Sequence, residues 1–117
     1  MAGEPVGTFP LDAFALDDVV AGKGGRTVSV CIPAHNEVAT VARVLTAVRV
    51  PHLRELGGSG LVDEVVVVDD GSTDGTSEVA AQVGARVVRL DRQVGKGGAM
   101  AAALDAAAGD VIVFLDA

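Results

Sequence analysis

The order of apolar runs along this chain predicts an α/β fold, a parallel sheet with helices on both faces. Three observations predict it. Short Val-rich runs alternate with stretches of helical periodicity, so that from Thr27 onward the order reads β-α-β-α-β-α-β. The strand-like runs are apolar throughout rather than alternating, as strands covered on both sides are. Half of the residues are apolar, mostly Val and Ala, with three Phe and neither Trp nor Tyr, a palette for Ala-rich helices on a Val-rich sheet. A length of 117 residues allows one domain or a piece of a larger one.

Taken in order, residues 1–10 read as a loose leader. Leu11, Phe14, Ala15 and Val19 then follow helical spacing until Gly22, Gly24 and Gly25 stop it, so residues 1–25 are expected to form a leader and a short edge helix. Thr27–Ile32 predicts the first strand, ended by Pro33. A helix is expected from Glu37 to Arg49, with Val38, Val41, Val44, Leu45 and Val48 on one face. Pro51 to Gly60 reads as a turn-rich connection. Glu64–Asp69 predicts a strand buried on both sides. Gly71 to Gly75 is a turn in which Ser72, Thr73 and Asp74 can cap a helix over Thr76–Val83. Arg86–Leu90 is the third strand. Gly95 to Gly98 opens an Ala-rich helix reaching Ala108, and Asp110–Leu115 is the fourth strand.

Composition narrows the function. A formal charge of −7 argues against an electrostatic grip on nucleic acid or an anionic membrane, though phosphate ligands fit where amides, a metal or one Lys offset the field. No apolar run approaches the roughly 20 residues that cross a bilayer, and Met1 to Pro5 carry no signal-peptide pattern, so a cytoplasmic location is expected. The one cysteine, Cys31, is expected to be a buried free thiol suited to a reducing compartment.

In open parallel sheets, ligands bind outside the carboxyl ends of the strands, near the point where strand order reverses. Three of the four expected strands end there in polar sequence: Pro33-Ala34-His35-Asn36-Glu37, Asp69-Asp70-Gly71-Ser72-Thr73-Asp74, and Asp116. At the first, Asn36 can cap a helix and Glu37 suits its dipole. Alternatively, Pro33 and Ala34 offer backbone groups to a nucleobase or ribose and Glu37 accepts a hydroxyl. At the second, Asp70 is the expected ligand contact and Asp74 the structural member. Two adjacent acids repel unless something positive or hydrogen-bonding meets them. Gly95-Lys96-Gly97-Gly98 is neither a P-loop, since Leu90 and Gly97 stand where Gly and Ser or Thr are required, nor a dinucleotide fingerprint, since Met100 takes the last Gly position. Glycines and one Lys at a helix start nonetheless suit phosphate, through free amides and the positive dipole end. Asp116 suits a hard cation that shares a phosphate. His35 and His52 read as loop residues.

These pieces resemble a known family. Thr27 to Glu37 followed by Val66 to Asp74 is similar to the opening of family 2-like glycosyltransferases of the Rossmann-like GT-A fold, and Phe114-Leu115-Asp116-Ala117 resembles the start of their Asp-x-Asp motif. The resemblance covers residues 26–117. It implies the donor half of an enzyme moving a sugar from a UDP- or GDP-sugar to an acceptor with Mg2+ or Mn2+. Gly25-Arg26-Thr27, Gly84 to Val88 and Gly95-Lys96-Gly97 resemble one branch of it, the glucosyl-3-phosphoglycerate synthases of actinobacteria. That branch implies glucose as the sugar and 3-phosphoglycerate as a small-molecule acceptor. By match, Pro33, Ala34, Glu37 and Lys96 contact the nucleotide and Asp116 belongs to the metal motif. Asp70 stands where the branch commonly has Ser, and His35 where it has an apolar residue, so the general transferase reading ranks first. Read this way, the chain stops inside the motif. Catalysis is then not expected from it alone, and Val111, Val113 and Leu115 are expected to be poorly buried. The rival reading is a phosphoacceptor receiver domain, which also carries paired acids after an apolar strand but gives Pro33 to Glu37 no role. A sugar nucleotidyltransferase would need a Gly-rich, Arg-bearing loop in their place.

Overall fold

The computed structural model describes residues 25–52 and 60–117. The leader and helix expected before Gly25 lie outside the described residues. From Val28 the elements are β1 (Val28–Ala34), α1 (Val38–His52), β2 (Glu64–Asp70), α2 (Thr76–Gln82), β3 (Arg86–Leu90), α3 (Lys96–Ala106) and β4 (Val111–Phe114). The strands form one sheet in the order β3-β2-β1-β4, parallel at every pairing.

Burial on both sides explains why the strands are apolar throughout. Val30 and Ile32 of β1 and Val65 and Val67 of β2 turn to one face, where Val41, Leu45 and Val48 of α1 and Ala80 of α2 cover them. Cys31, Val66 and Val68 turn to the other, beneath Ala99 and Ala103 of α3. Each fully buried Val or Leu contributes about 1.5–3 kcal/mol over exposure. Alanine on α3 lets that helix lie close to the sheet. Burial, then the Glu64 charge, push the Cys31 thiol up to about 11, so it stays protonated.

The topology follows from handedness. The chain steps outward from β1 to β2 to β3 with α1 and α2 on one face. To reach the far side of β1 for β4, a right-handed crossover must use the opposite face, where α3 lies. Strand order therefore reverses between β1 and β4, which opens a crevice at their carboxyl ends.

Several boundaries move. The first strand runs two residues past its expected end, with Pro33 opposite Val68 and Ala34 opposite Asp69. Pro33 is tolerated because it faces the β4 side, beyond the last pair of that ladder, Cys31 with Phe114, so its missing N–H breaks no bond. Helix α1 starts at Val38 and continues through Pro51 to His52. Helix α3 ends at Ala106 and β4 spans Val111–Phe114, both shorter than expected. Val113 is also better covered than expected, at 8% exposure, because it pairs with Val30 and joins the α1-side core. Leu115 packs on the same core, while Val111 is 36% exposed. Among the described residues, no helix is long and apolar enough to cross a membrane.

The turn after β2 is tied to the loop after β3 by backbone contact. Gly71 has a φ of +70°, and a Cβ there would stand 2.5 Å from the Gln93 amide nitrogen. Gly71→Ala is expected to lower stability by about 1–3 kcal/mol from left-handed backbone strain alone. Gly25→Ala, with nothing within 4 Å of its Cβ, is the comparison and is expected to stay within about 0.5 kcal/mol. Urea unfolding of both variants checks this, and equal midpoints would contradict it.

Candidate nucleotide-binding site

A cavity of roughly 230 Å3 lies at the carboxyl ends of the strands. Pro33 and Ala34 line it from β1, His35 from just beyond β1, Asp70 from β2, Asp116 from beyond β4, and Gln93, Gly95, Lys96 and Ala99 from the β3–α3 turn and α3. Complete small-molecule pockets run to about 300–1,000 Å3, so this cavity has room for part of such a ligand.

The two adjacent acids escape mutual repulsion because successive strand residues point to opposite faces. Asp69 turns toward α2: its carboxylate accepts the Ser72 amide at 2.9 Å and the Ser77 hydroxyl. Burial alone would raise its carboxyl, but the bonds from Ser72 and Ser77 and the nearby Arg89 charge outweigh burial and hold it below the ordinary range. Asp70 turns toward α3, where Oδ1 accepts the Val94 amide at 2.7 Å and Oδ2 the Gly95 amide at 3.0 Å. The Gly95 amide is thus already taken, contrary to the expectation that it is free for phosphate. Gly95 itself sits at φ +89°, which lets the chain turn straight into α3. The remaining first-turn amides of α3 have no acceptor within the helix.

The expected capping role is corrected for Ser72 and Thr73, while Asp74 does meet the first amide of α2, that of Thr76. The N-cap of α2 is Gly75, with no side-chain cap bond. All three residues also join the β2–α2 turn to the start of α1. The Asn36 amide donates to Ser72 Oγ at 2.9 Å, the Thr73 amide donates to Asn36 Oδ1 at 2.9 Å, and the Val38 amide donates to Asp74 Oδ2 at 3.3 Å. Asp74 also takes the Thr76 hydroxyl and amide, and those bonds hold its carboxyl low. These cross-ties place Asn36 in the left-handed region, at φ +52°.

Of the residues singled out in the sequence, Pro33, Ala34, Asp70, Lys96 and Asp116 come together around the cavity. Glu37 does not line it. Its backbone N–H donates to Thr76 Oγ1 at 3.0 Å and its carboxylate takes the Thr40 hydroxyl at 2.9 Å, at the entrance to α1. Lys96 Nζ lies 3.1 Å from Asp116 Oδ1, with the two side chains 68% and 81% exposed. Among the described residues, no group of three or more His, Cys, Asp or Glu is arranged to hold a metal. Asp116 would therefore need oxygen ligands from a phosphate. His35, read from sequence as a loop residue, also lines the cavity.

Residues 29–117 match the family model described as glycosyl transferase family 2. The chain belongs to that family. It is 39% identical, over an alignment 127 positions long with its gaps, to a glucosyl-3-phosphoglycerate synthase of Mycobacterium tuberculosis, covering 97% of this chain and 37% of that protein. It is 41% identical to a synthase of the same name from Mycolicibacterium smegmatis, covering 89% of this chain and 35% of that one. A crystal structure of the M. tuberculosis synthase with Mn2+, uridine diphosphate and glucosyl-3-phosphoglycerate superposes with a TM-score of 0.73 at 38% identity, over 93% of this chain and 39% of that one. The chain thus spans little more than a third of the length of these relatives. The receiver reading falls with this result and with the topology, because receivers order their strands 2-1-3-4-5 whereas β2 here separates β3 from β1.

Asp69 makes the turn after β2 sensitive to acid. Its folded carboxyl titrates below the ordinary value of about 3.9, so its contribution is fully present above that value and lost as pH falls through the lower folded one. Asp69→Asn is expected to reduce stability at pH 7 by about 1.5–3 kcal/mol and to flatten the loss between neutral and acid pH. Urea midpoints across that range check this, and an unchanged acid slope in the variant would contradict it.

Proposed function

We propose that residues 26–117 form the donor-binding part of a glycosyltransferase that moves a sugar from a UDP- or GDP-sugar to a small-molecule acceptor. The observation that carries this reading is the meeting of Lys96 and Asp116 on one cavity at the strand-order reversal, beside the ends of β1 and β2. The family and the nucleotide complexes of the M. tuberculosis relative support it. Glucose as the sugar and 3-phosphoglycerate as the acceptor rest on the names of the similar synthases. Work in the cytoplasm, with Cys31 reduced, belongs to the same proposal.

Each residue has a part. The backbone at Pro33 and Ala34 faces the base and ribose. Asp70 holds the Val94–Gly95 turn and keeps lone pairs for a base N–H. Glu37 reaches a ligand hydroxyl only where the ligand extends past the cavity rim. Lys96 meets the diphosphate, whose negative charge grows as the sugar–phosphate bond breaks. Asp116 fits a divalent ion: its exposed carboxylate already attracts a cation, and the diphosphate supplies further hard oxygens. Bound there, Mg2+ or Mn2+ would add Lewis-acid neutralisation of that charge. In this role Lys96 leaves Asp116 for phosphate.

The test is calorimetry with UDP and with uridine. Lys96→Ala is expected to weaken UDP binding by about 1.5–3 kcal/mol, the worth of a charge-assisted bond, and to leave uridine binding nearly unchanged. Equal losses for both ligands, or no UDP binding by the folded wild-type chain at millimolar concentration, would contradict the reading.

A further inference from the structure

We propose that Glu64, at the amino end of β2, is a positioning residue for Asp116: it anchors the connection from α3 to β4 and so sets where that carboxylate stands against Lys96. This rests on the donor-binding reading above, in which Asp116 meets the cation and Lys96 the diphosphate.

The anchor lies at the opposite end of the sheet from the cavity. Glu64 and Ser29 are direct partners across the β1–β2 ladder. Each stands two residues before Val66 and Cys31, so both turn to the face that α3 covers. The Gly109 backbone N–H can only donate, and it donates to Ser29 Oγ at 2.9 Å. The Ser29 hydroxyl proton is then free for Glu64 Oε1, 2.6 Å away. The same oxygen accepts the Ala108 amide at 2.6 Å. Arg86, at the start of β3, lies 3.9 Å from Glu64 Oε2 and donates to the Ala106 carbonyl at 2.8 Å. That carbonyl belongs to the last turn of α3, where a helix leaves its acceptors without an intrahelical partner. The end of α3 and the chain after it are thus tied to the amino ends of β1, β2 and β3. The fit is close: a Cβ on Gly109 would run into the Ser29 hydroxyl and stand 2.8 Å from the Ser29 amide nitrogen.

What this junction fixes is the position of β4 along its own axis. That strand has four residues and, among the described residues, pairs with β1 alone. A slip of one residue would move it by about 3.3 Å and turn its side chains to the opposite faces. Asp116, two residues beyond the end of β4, would move with it. The contact between Lys96 and Asp116 cannot hold the strand in place, because both side chains are largely exposed and such pairs contribute little. The hold must come from the other end. β2 therefore grips α3 twice, through Asp70 at Gly95 and through Glu64 at Ala108. The first places Lys96, the second places Asp116, and their meeting on one cavity needs both.

The experiment compares the wild-type chain with Glu64→Ala, Glu64→Gln and Ser29→Ala. Amide exchange is followed by NMR, and UDP binding by calorimetry with and without Mn2+. The Leu115 amide donates to the Cys31 carbonyl at 3.0 Å just past the end of β4. In Glu64→Ala it is expected to exchange about tenfold faster while Val66 to Val68 stay protected. UDP affinity is expected to fall about tenfold with Mn2+ present, because a misplaced charged group is costly, and to stay within about twofold without it. Glu64→Gln keeps an oxygen for Ser29 and Ala108 and is expected to retain most of both properties. Ser29→Ala removes only the bridge to Gly109. It is expected to show the same pattern on a smaller scale, and it carries the test if Glu64→Ala does not fold. Unchanged Leu115 exchange in both Ala variants would overturn the proposal. So would UDP weakening equally with and without Mn2+, which would make Glu64 a general brace of the sheet. Absence of any Mn2+ effect on UDP binding by the wild-type chain would overturn the metal reading of Asp116 and the functional half of this inference with it, while the exchange result still decides whether Glu64 holds β4.

Discussion

The site depends on one carboxylate that binds the protein before it binds anything else. Asp70, buried at the end of β2, accepts the consecutive amides of Val94 and Gly95. Two charge-assisted bonds to backbone are worth more than neutral ones, and these two fasten the β3–α3 turn to the middle of the sheet. Everything on that turn inherits its position from them: the start of α3, the Lys96 side chain, and the pairing of Lys96 with Asp116. Gly71 makes the arrangement fit, since its bare backbone approaches Arg92 and Gln93 more closely than a side chain would allow.

A second set of bonds does the same work on the other face. Asp69 draws in Ser72 and Ser77, and the turn those residues shape reaches across to Asn36, Glu37 and Val38. Loops after β1, β2 and β3 are therefore fixed to one another as well as to the sheet. A crevice that topology alone would merely open is given defined walls. Such preorganisation reduces what a ligand must order on binding, and in the proposed transferase it keeps a cation where charge develops on the leaving diphosphate.

The fold was readable because burial on two faces leaves a plain mark, continuous Val-rich runs between helical periods. The cavity was readable for the same reason: a parallel sheet gathers its strand ends, so polar residues placed there by sequence must meet. What escaped was decided by partners far along the chain. Nothing near Ser72 to Asp74 says that Ser72 serves Asn36, or that Asp74 serves Val38 as well as α2. Nothing beside Asp70 says that its oxygens are filled by amides some 24 and 25 residues later. His35 reads as a plain loop residue, and only the fold supplies the neighbours that occupy its two nitrogens. Glu37 carried the family's motif but stands at the entrance to α1, outside the cavity wall.

The central claim is that Asp70 builds the site from within, and amide hydrogen exchange of the ligand-free chain tests it most directly. The account predicts that Val94 and Gly95, although they lie in a turn, are protected about as well as the amides of β2, and that Asp70→Ala exposes these two to rapid exchange while β1 and β2 stay protected. Fast exchange of both amides in the wild-type chain, or protection that survives Asp70→Ala, would contradict it.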